Sequence, residues 1–288
     1  MSYDNKALIQ QHTERIIEQL QESTLLFARS FPMPPYQPFS LIPEPRIIAV
    51  LSGRKPIAYT NGEDIIDTEM GPGDVLFAEP YGWTNPLWTK PHTFISIVFH
   101  HNYIRFLYIN TIPELVVPPY GPDSNWYHTS HGLCRAGAML LSALNSLAAE
   151  YKQQELVGIE TLTALMRLAL YQLKYDEAED NSKAHGTWQS IRNFIRENSH
   201  MQITRESVAS RFKLSPSYLS RLFQKHGEGF NAYLRRLRLE QAVHMLEQRH
   251  LTVDEISYRC GFNSTGYFIK TFTNAYGTTP GFYRCGDK

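Results

Sequence analysis

Thr204-Arg205-Glu206-Ser207-Val208-Ala209-Ser210-Arg211-Phe212-Lys213-Leu214-Ser215-Pro216-Ser217-Tyr218-Leu219-Ser220-Arg221-Leu222-Phe223 reads as two short helices around a turn. Ala209 is small where the helices must approach closely. Ser215 is a good N-cap, and Pro216 suits the first position of the second helix. The plan returns about fifty residues later in Thr252-Val253-Asp254-Glu255-Ile256-Ser257-Tyr258-Arg259-Cys260-Gly261-Phe262-Asn263-Ser264-Thr265-Gly266-Tyr267-Phe268-Ile269-Lys270-Thr271-Phe272. Each stretch has the pattern of a helix-turn-helix, whose second helix enters the DNA major groove. Two such units predict a subunit that reads two stretches of groove.

In the first unit Leu219, Leu222 and Phe223 share the inward face. Ser217, Ser220, Arg221 and Gln224 are left outward. Arg221 can make paired hydrogen bonds to a guanine edge, and the serines can reach bases or phosphates. In the second unit Ile256, Phe262, Phe268 and Phe272 form the core side, with Thr265, Gly266, Ile269 and Lys270 outward. Gly266 offers no side chain, and Ile269 suits only an apolar contact such as a thymine methyl. This head is expected to hold the backbone more than it reads sequence. Between the units, residues 229–248 carry Phe230, Tyr233, Leu234, Leu237, Leu239, Ala242, Met245 and Leu246, a long helix in the making. Twenty helical residues span ~30 Å, close to the ~34 Å between successive major-groove faces.

Charge supports the same reading. The 288-residue chain has formal net charge zero. Residues 185–288 hold 15 Lys and Arg against 8 Asp and Glu, a net of +7. Residues 1–184 hold the remaining 13 and 20, a net of −7. A basic C-terminal third is the footprint of a phosphate-binding surface. The 42% hydrophobic fraction is that of a globular protein, long enough for two domains. The three cysteines, Cys134, Cys260 and Cys285, make no disulfide framework. Cys260 lies inside the second unit and is expected to be a small buried hydrophobe, not a nucleophile. The polar start lacks a signal-peptide pattern, and no run reaches the ~18 apolar residues of a membrane span. The cytoplasm is the expected location, with no membrane partner.

Residues 6–27 have the spacing of an amphipathic helix, with Ile9, Ile16, Leu20 and Leu25 on one side. A Pro-rich stretch follows over 32–45. Strand-like runs then occupy 46–51, 56–60, 64–68, 74–78 and 93–100. Asn61-Gly62 signals a tight hairpin, while Gly53 and Pro72-Gly73 mark other turns. Short strands at this spacing predict a small barrel or sandwich. From Leu133 the period becomes helical: Leu133, Ala136, Leu140, Leu144, Leu147 and Tyr151, then Leu156, Ile159, Leu162, Leu165, Ala169 and Leu173. These two stripes either seal a homodimer or cap the barrel's own core. Residues 176–185 are polar and acidic, a linker candidate. Trp188, Ile191, Phe194 and Ile195 open the helical C-terminal domain.

Residues 188–284 resemble the DNA-binding domain of the AraC/XylS family of bacterial transcription regulators. The resemblance rests on the segments 214–223, Arg236-Leu237-Arg238-Leu239-Glu240-Gln241-Ala242, Cys260-Gly261-Phe262 and Thr279-Pro280-Gly281-Phe282-Tyr283-Arg284. It implies two helix-turn-helix subdomains joined by a long helix and binding promoter DNA. Base-reading positions then fall on Ser217, Ser220, Arg221, Thr265, Gly266, Ile269 and Lys270. The family commonly has a polar or basic residue where Gly266 and Ile269 stand. Gly71-Pro72-Gly73-Asp74-Val75-Leu76-Phe77-Ala78-Glu79-Pro80-Tyr81-Gly82-Trp83 resembles, more weakly, the strand-turn signature of the cupin-like sensor domain of many such regulators. Asn85 stands near the place of a cupin enzyme's metal-binding His. His92 and His100 are eight residues apart on one strand, ~26 Å, and cannot share one ion. His100 and His101 point to opposite faces. No catalytic residue, metal or cofactor is expected.

The expected fold class is α+β multidomain: a cupin-like β-barrel with flanking helices over 1–180, and an all-α domain over 186–288 with helix-turn-helix units near 204–225 and 252–274. Tyr36, Tyr59, Tyr81, Trp83, Trp88, Trp126 and Tyr127 concentrate in the first domain. Aromatic faces suit sugars and small aromatics, with carbohydrate the favoured effector class and Tyr81 and Trp83 the candidate ligand contacts. The leading expectation is a homodimeric regulator that binds promoter DNA, answers to a small-molecule effector and works with RNA polymerase. Two alternatives are a regulator whose first domain only dimerises, and a cupin enzyme with a DNA-binding tail.

Overall fold

The computed structural model describes residues 2–32, 40–87, 89–100, 103–111, 125–128, 132–150, 155–175, 183–247 and 251–285. Tyr36, Trp88 and His101 lie outside them, as do the side chains of Trp126 and Tyr127. The chain divides into two compact units, Met1–Asp180 and Asn181–Lys288.

The first unit opens with α1 (Ser2–Gln19), one 3-10 turn (Leu20–Glu22) and β1 (Leu25–Ala28). The helix predicted to run to residue 27 therefore ends early. The Ser23 hydroxyl donates to the Gln19 carbonyl at 2.9 Å and terminates it. Leu25 belongs to a strand instead. Further strands are β2 (Ser40–Leu41), β3 (Arg46–Gly53), β4 (Lys55–Thr60), β5 (Ile65–Met70), β6 (Val75–Ala78), β7 (Trp83–Pro86), β8 (His92–Phe99), β9 (Ile104–Thr111) and β10 (Asn125–His128). Six form one sheet in the order β1-β6-β3-β8-β9-β10, and four form a second, β2-β7-β4-β5. Two helices follow, α2 (Arg135–Glu150) and α3 (Glu155–Tyr175).

Three layers result, with a separate apolar core at each junction. Ile47, Ala49, Phe77, Ile95, Ile97 and Phe106 on one face of the six-stranded sheet meet Ile9 and Ile16 of α1 and Leu162, Leu165 and Leu173 of α3. The alternate residues Ile48, Val50, Leu76, Phe94, Val98 and Leu107 meet Ile57 and Tyr59 of the smaller sheet. Covered on both faces, β8 is buried throughout, so its sequence shows no alternation. β5 has one wet face and does alternate. From Ile159 onwards the stripe on α3 thus serves the domain's own core, while Leu156 at its start is exposed. Of the α2 stripe, Leu144 is buried, Leu133 and Leu140 are partly covered, and Ala136 is exposed. By length and composition alone α3 is apolar enough to cross a membrane, but its inner stripe lies in this core.

The hairpin at Asn61-Gly62 is looser than its sequence signal. Thr60 pairs with Ile65, leaving a four-residue loop. Asn61 Oδ1 closes it by accepting from the Glu63 and Asp64 amides at 2.9 and 2.8 Å.

The described residues of the second unit are helical. They form α4 (Lys183–Glu197), α5 (Arg205–Arg211), α6 (Pro216–Lys225), α7 (Phe230–Glu247), α8 (Val253–Arg259), α9 (Thr265–Tyr276) and α10 (Pro280–Cys285). Helix α4 begins inside the stretch expected to be a linker; residues 176–182 lie outside the described residues. α7 is buried on two sides. Its Phe230 and Tyr233 pack on Phe223 of α6, with ring centroids 5.6 and 5.5 Å apart. At its other end Met245 meets Cys260 beyond α8, sulfur to sulfur 3.8 Å. Side-chain bonds tie the ends together. Arg238 donates to the carbonyls of Ser199 and Met201, both at 2.8 Å, and Gln202 donates to the Gly261 carbonyl at 3.0 Å.

Candidate nucleic-acid interface

Helices α5 and α6 form the first reading unit, α8 and α9 the second. The two are built alike. Thr204 and Thr252 cap α5 and α8 through reciprocal capping boxes. Ser215 and Ser264 cap α6 and α9 by accepting from the Tyr218 and Tyr267 amides. Each turn is closed by an amide reaching back five residues: Leu214 to the Ala209 carbonyl at 2.8 Å, Phe262 to the Ser257 carbonyl at 3.0 Å. Each has a left-handed residue before that amide, Lys213 at φ 54° and Gly261 at φ 85°. Ala209 and Ser257 occupy the same fully buried place, where α5 meets α6 and α8 meets α9.

The outward sets fall as their spacing predicts. On α6, Ser217, Arg221 and Gln224 are exposed and Ser220 is half-buried. Leu219 and Phe223 are buried beneath them. On α9, Gly266 and Lys270 are exposed, while Thr265 and Ile269 are half-buried. A Cβ added at Gly266 would meet only the Ser264 hydroxyl, at 3.8 Å, so its side is open. Three neighbours lack a signal in the helix pattern. Arg205, first residue of the supporting helix α5, reaches Ser220 Oγ at 3.3 Å and pairs with Glu206 at 2.7 Å. Ser220 also donates to the Pro216 carbonyl at 3.0 Å. The Ser220 hydroxyl is thus engaged within the protein, and Arg205 brings a cation to the same helix. Tyr218 and Tyr267 are exposed aromatics beside the outward sets. The Arg221 guanidinium lies 6.0 Å from the Tyr218 ring centroid. Cys260 is fully buried, and burial pushes its thiol well above the usual range, as a packed residue and not a nucleophile requires.

In the first unit the effector candidates separate. Tyr81 is half-buried, third residue of the turn Glu79-Pro80-Tyr81-Gly82, with φ 59°. The Gly82 amide closes that turn on the Glu79 carbonyl at 2.8 Å. A Cβ on Gly82 would lie 2.6 Å from the Ala28 carbonyl oxygen, so only glycine fits. Trp83 is 1% exposed, and its indole N–H donates to the Pro32 carbonyl at 2.8 Å. It braces β7 against the segment after β1, with its indole inside the core. Asn85 is half-buried on β7. His92 Nδ1 meets the Lys90 carbonyl at 2.8 Å, while His100 faces Glu44 at 3.2 Å. Among the described residues no three His, Cys, Asp or Glu side chains are grouped to hold a metal ion.

A helix-turn-helix domain family model matches residues 208–285. The chain is 31% identical over 251 residues to an uncharacterised HTH-type transcriptional regulator, YijO, of Escherichia coli strain K12, covering 83% of this chain and 81% of the relative. A second relative from the same organism, the uncharacterised HTH-type transcriptional regulator YpdC, is 28% identical over 240 residues, covering 83% of this chain and 81% of the relative. Among solved structures, the DNA-binding domain of the global transcriptional factor AdpA in complex with a target DNA is 29% identical. It covers 34% of this chain and 90% of that one, with a TM-score of 0.33.

Proposed function

The chain belongs to the AraC/XylS family of DNA-binding transcriptional regulators, and from that premise we propose that α6 and α9 lie in successive major grooves of promoter DNA while the first unit answers to a small-molecule effector. The observation that carries the proposal is the pair of like-built units on one helix, each with its outward set clear of the core. Arg221, Ser217 and Gln224 are assigned to base edges, with Ser220 held by its neighbours. Thr265, Ile269 and Lys270 are assigned to methyl and phosphate contacts, with Gly266 an open site beside them. The protein works in the cytoplasm as a homodimer together with RNA polymerase. Exposed Met139, Leu156, Tyr171 and Tyr175 on α2 and α3 favour self-association, because large apolar side chains in water gain by being covered.

A gel-shift titration of the intact chain tests the DNA assignment. Its own upstream region should bind more tightly than random duplex, and affinity should fall steeply as salt rises. Equal affinity for both DNAs would refute sequence reading. Sedimentation at micromolar concentration tests the dimer; a monomer removes it.

A further inference from the structure

Arg205 opens the supporting helix α5, yet its side chain lies against the reading helix α6. Its Nη1 donates to Ser220 Oγ at 3.3 Å, while Nε and Nη2 donate to Glu206 Oε1 at 3.0 and 2.7 Å. The single O–H of Ser220 is spent on the Pro216 carbonyl at 3.0 Å, so its oxygen is what faces Arg205. A guanidinium has five N–H donors. Three are engaged here, which leaves one on Nη1 and one on Nη2. The side chain is 47% exposed, so those donors have water within reach. At 3.6 residues per turn, Ser217, Gln224 and Arg221 all fall to one side of Ser220, within about 100°. Ser220 and the cation upon it therefore mark the edge of the reading face, on the side from which α5 approaches.

The second reading unit fills the same junction without a charge. Thr204 matches Thr252, and Ser215 matches Ser264, as N-caps. Counted from those caps, Arg205 matches Val253 and Ser220 matches Ile269. Both of these are apolar and half-buried. Holding a supporting helix to its reading helix thus does not account for an exposed cation at Arg205, and exposed ion pairs add little to stability. The hydrogen bond from Arg205 holds the Glu206 carboxyl below its ordinary range, so the pair stays ionised. Glu206 and Ser220 fix the guanidinium from two sides before any partner arrives, which spares the cost of ordering a long side chain on binding. With α6 in the major groove, the supporting helix crosses the DNA backbone. The group that stands at this edge of the reading face is then a phosphate, and its oxygens accept paired N–H bonds from one guanidinium.

We propose that Arg205 clamps a backbone phosphate beside the reading helix, and that Ser220 is a positioning residue for it and not a base reader. The inference rests on the reading of α6 as a major-groove helix and adds a contact made by the supporting helix. The test measures binding of the intact chain to its own upstream region and to random duplex across a salt series. Arg205→Val, which brings in the residue of the matching place, should weaken both DNAs alike. The loss should be about eightfold per bound chain at about 0.1 M salt, and the slope of log affinity against log salt should fall by about 0.9. Arg205→Lys should restore the slope, because the charge returns without the fork. Ser220→Ala should cost about twofold on both DNAs in the unmodified chain and nothing beside Arg205→Val. Where Arg205→Val lowers the melting temperature, Arg205→Gln takes its place with the same expected slope. An unchanged slope overturns the clamp. A loss confined to the upstream region makes Arg205 a base reader and overturns it too. A Ser220→Ala effect that persists beside Arg205→Val overturns the positioning role. An unmodified chain that binds both DNAs equally refutes sequence reading while the slopes still decide Arg205, and one that binds neither overturns both.

Discussion

Lys55 shows how one residue can write itself into the pH dependence of the whole domain. Its pKa is held at about 7 in the folded chain, against an ordinary 10.5. Between those values the unfolded chain carries a proton that the folded chain has released. Stability therefore rises with pH across that window by about 1.4 kcal/mol per pH unit, and the full cost of burial is felt below pH 7. Lys55→Met should remove this slope, giving a gain over the wild type that is largest below pH 7 and shrinks towards pH 10. Urea titrations at several pH values would show it, and a pH-independent difference would mean that Lys55 is not desolvated. His92 beside it, kept down at about 4 by burial and then by Lys55, stays neutral through the experiment. On the reading face, Arg221→Ala should cost roughly 1–3 kcal/mol of discrimination between promoter and random DNA. Lys270→Ala should weaken both DNAs alike. Equal losses on both for Arg221→Ala would reduce that residue to a backbone contact. The outward residues were legible because caps and helical spacing place them without tertiary information. Buried Arg46, Lys55 and Arg105 were not, because a charge in a strand-like run reads as a wet position until the second sheet is seen to cover it.

At the scale of the element, the two turns invite a paired experiment. Both close the same way, but Lys213 adopts its left-handed conformation at a cost that Gly261 avoids. Lys213→Gly should raise stability by about 0.5–1 kcal/mol, net of the freedom glycine gains in the unfolded chain. Gly261→Ala should lower it by at least about 2 kcal/mol, since its new Cβ would lie 2.7 Å from the His200 carbonyl oxygen at an unfavourable φ. Urea midpoints at constant slope would measure both, and like-signed changes would contradict the parallel between the units. The parallel also singles out Ser257, whose buried hydroxyl has no hydrogen-bond partner among the described residues where the first unit has Ala209. Ser257→Ala should stabilise by about 1 kcal/mol; a loss would reveal a partner for that hydroxyl. Element types in this unit follow closely from sequence, down to the N-cap Ser215. The β-rich unit was harder. β9 was missed because both its faces are covered, so Ile104, Phe106 and Leu107 show no alternation around Arg105. β1 was missed because Leu25 happens to continue the helical stripe of α1, and parallel pairing with β6 overrides it.

For the whole molecule, the charge asymmetry predicts where phosphate goes. Residues 181–288, kept whole from the start of α4, should retain duplex binding that weakens with salt, whereas residues 1–180 should show none. A gel shift with both pieces checks this, and binding by the acidic piece would break the assignment.

The ties from Arg238 to the Ser199 and Met201 carbonyls, and from Gln202 to Gly261, have a consequence for the promoter itself. A connector of eighteen residues, ~27 Å, buried along its length and tied at Arg238, cannot unwind to follow its DNA. The distance and phase between the two recognised boxes are then set by the protein. Five base pairs inserted between them would carry one box to the far side of the duplex and should abolish two-headed binding. Ten would restore the phase but move it ~34 Å further along the axis, out of reach of that connector. A loosely tethered pair of heads would recover with ten, so footprints over a ladder of spacer lengths separate a caliper from a leash.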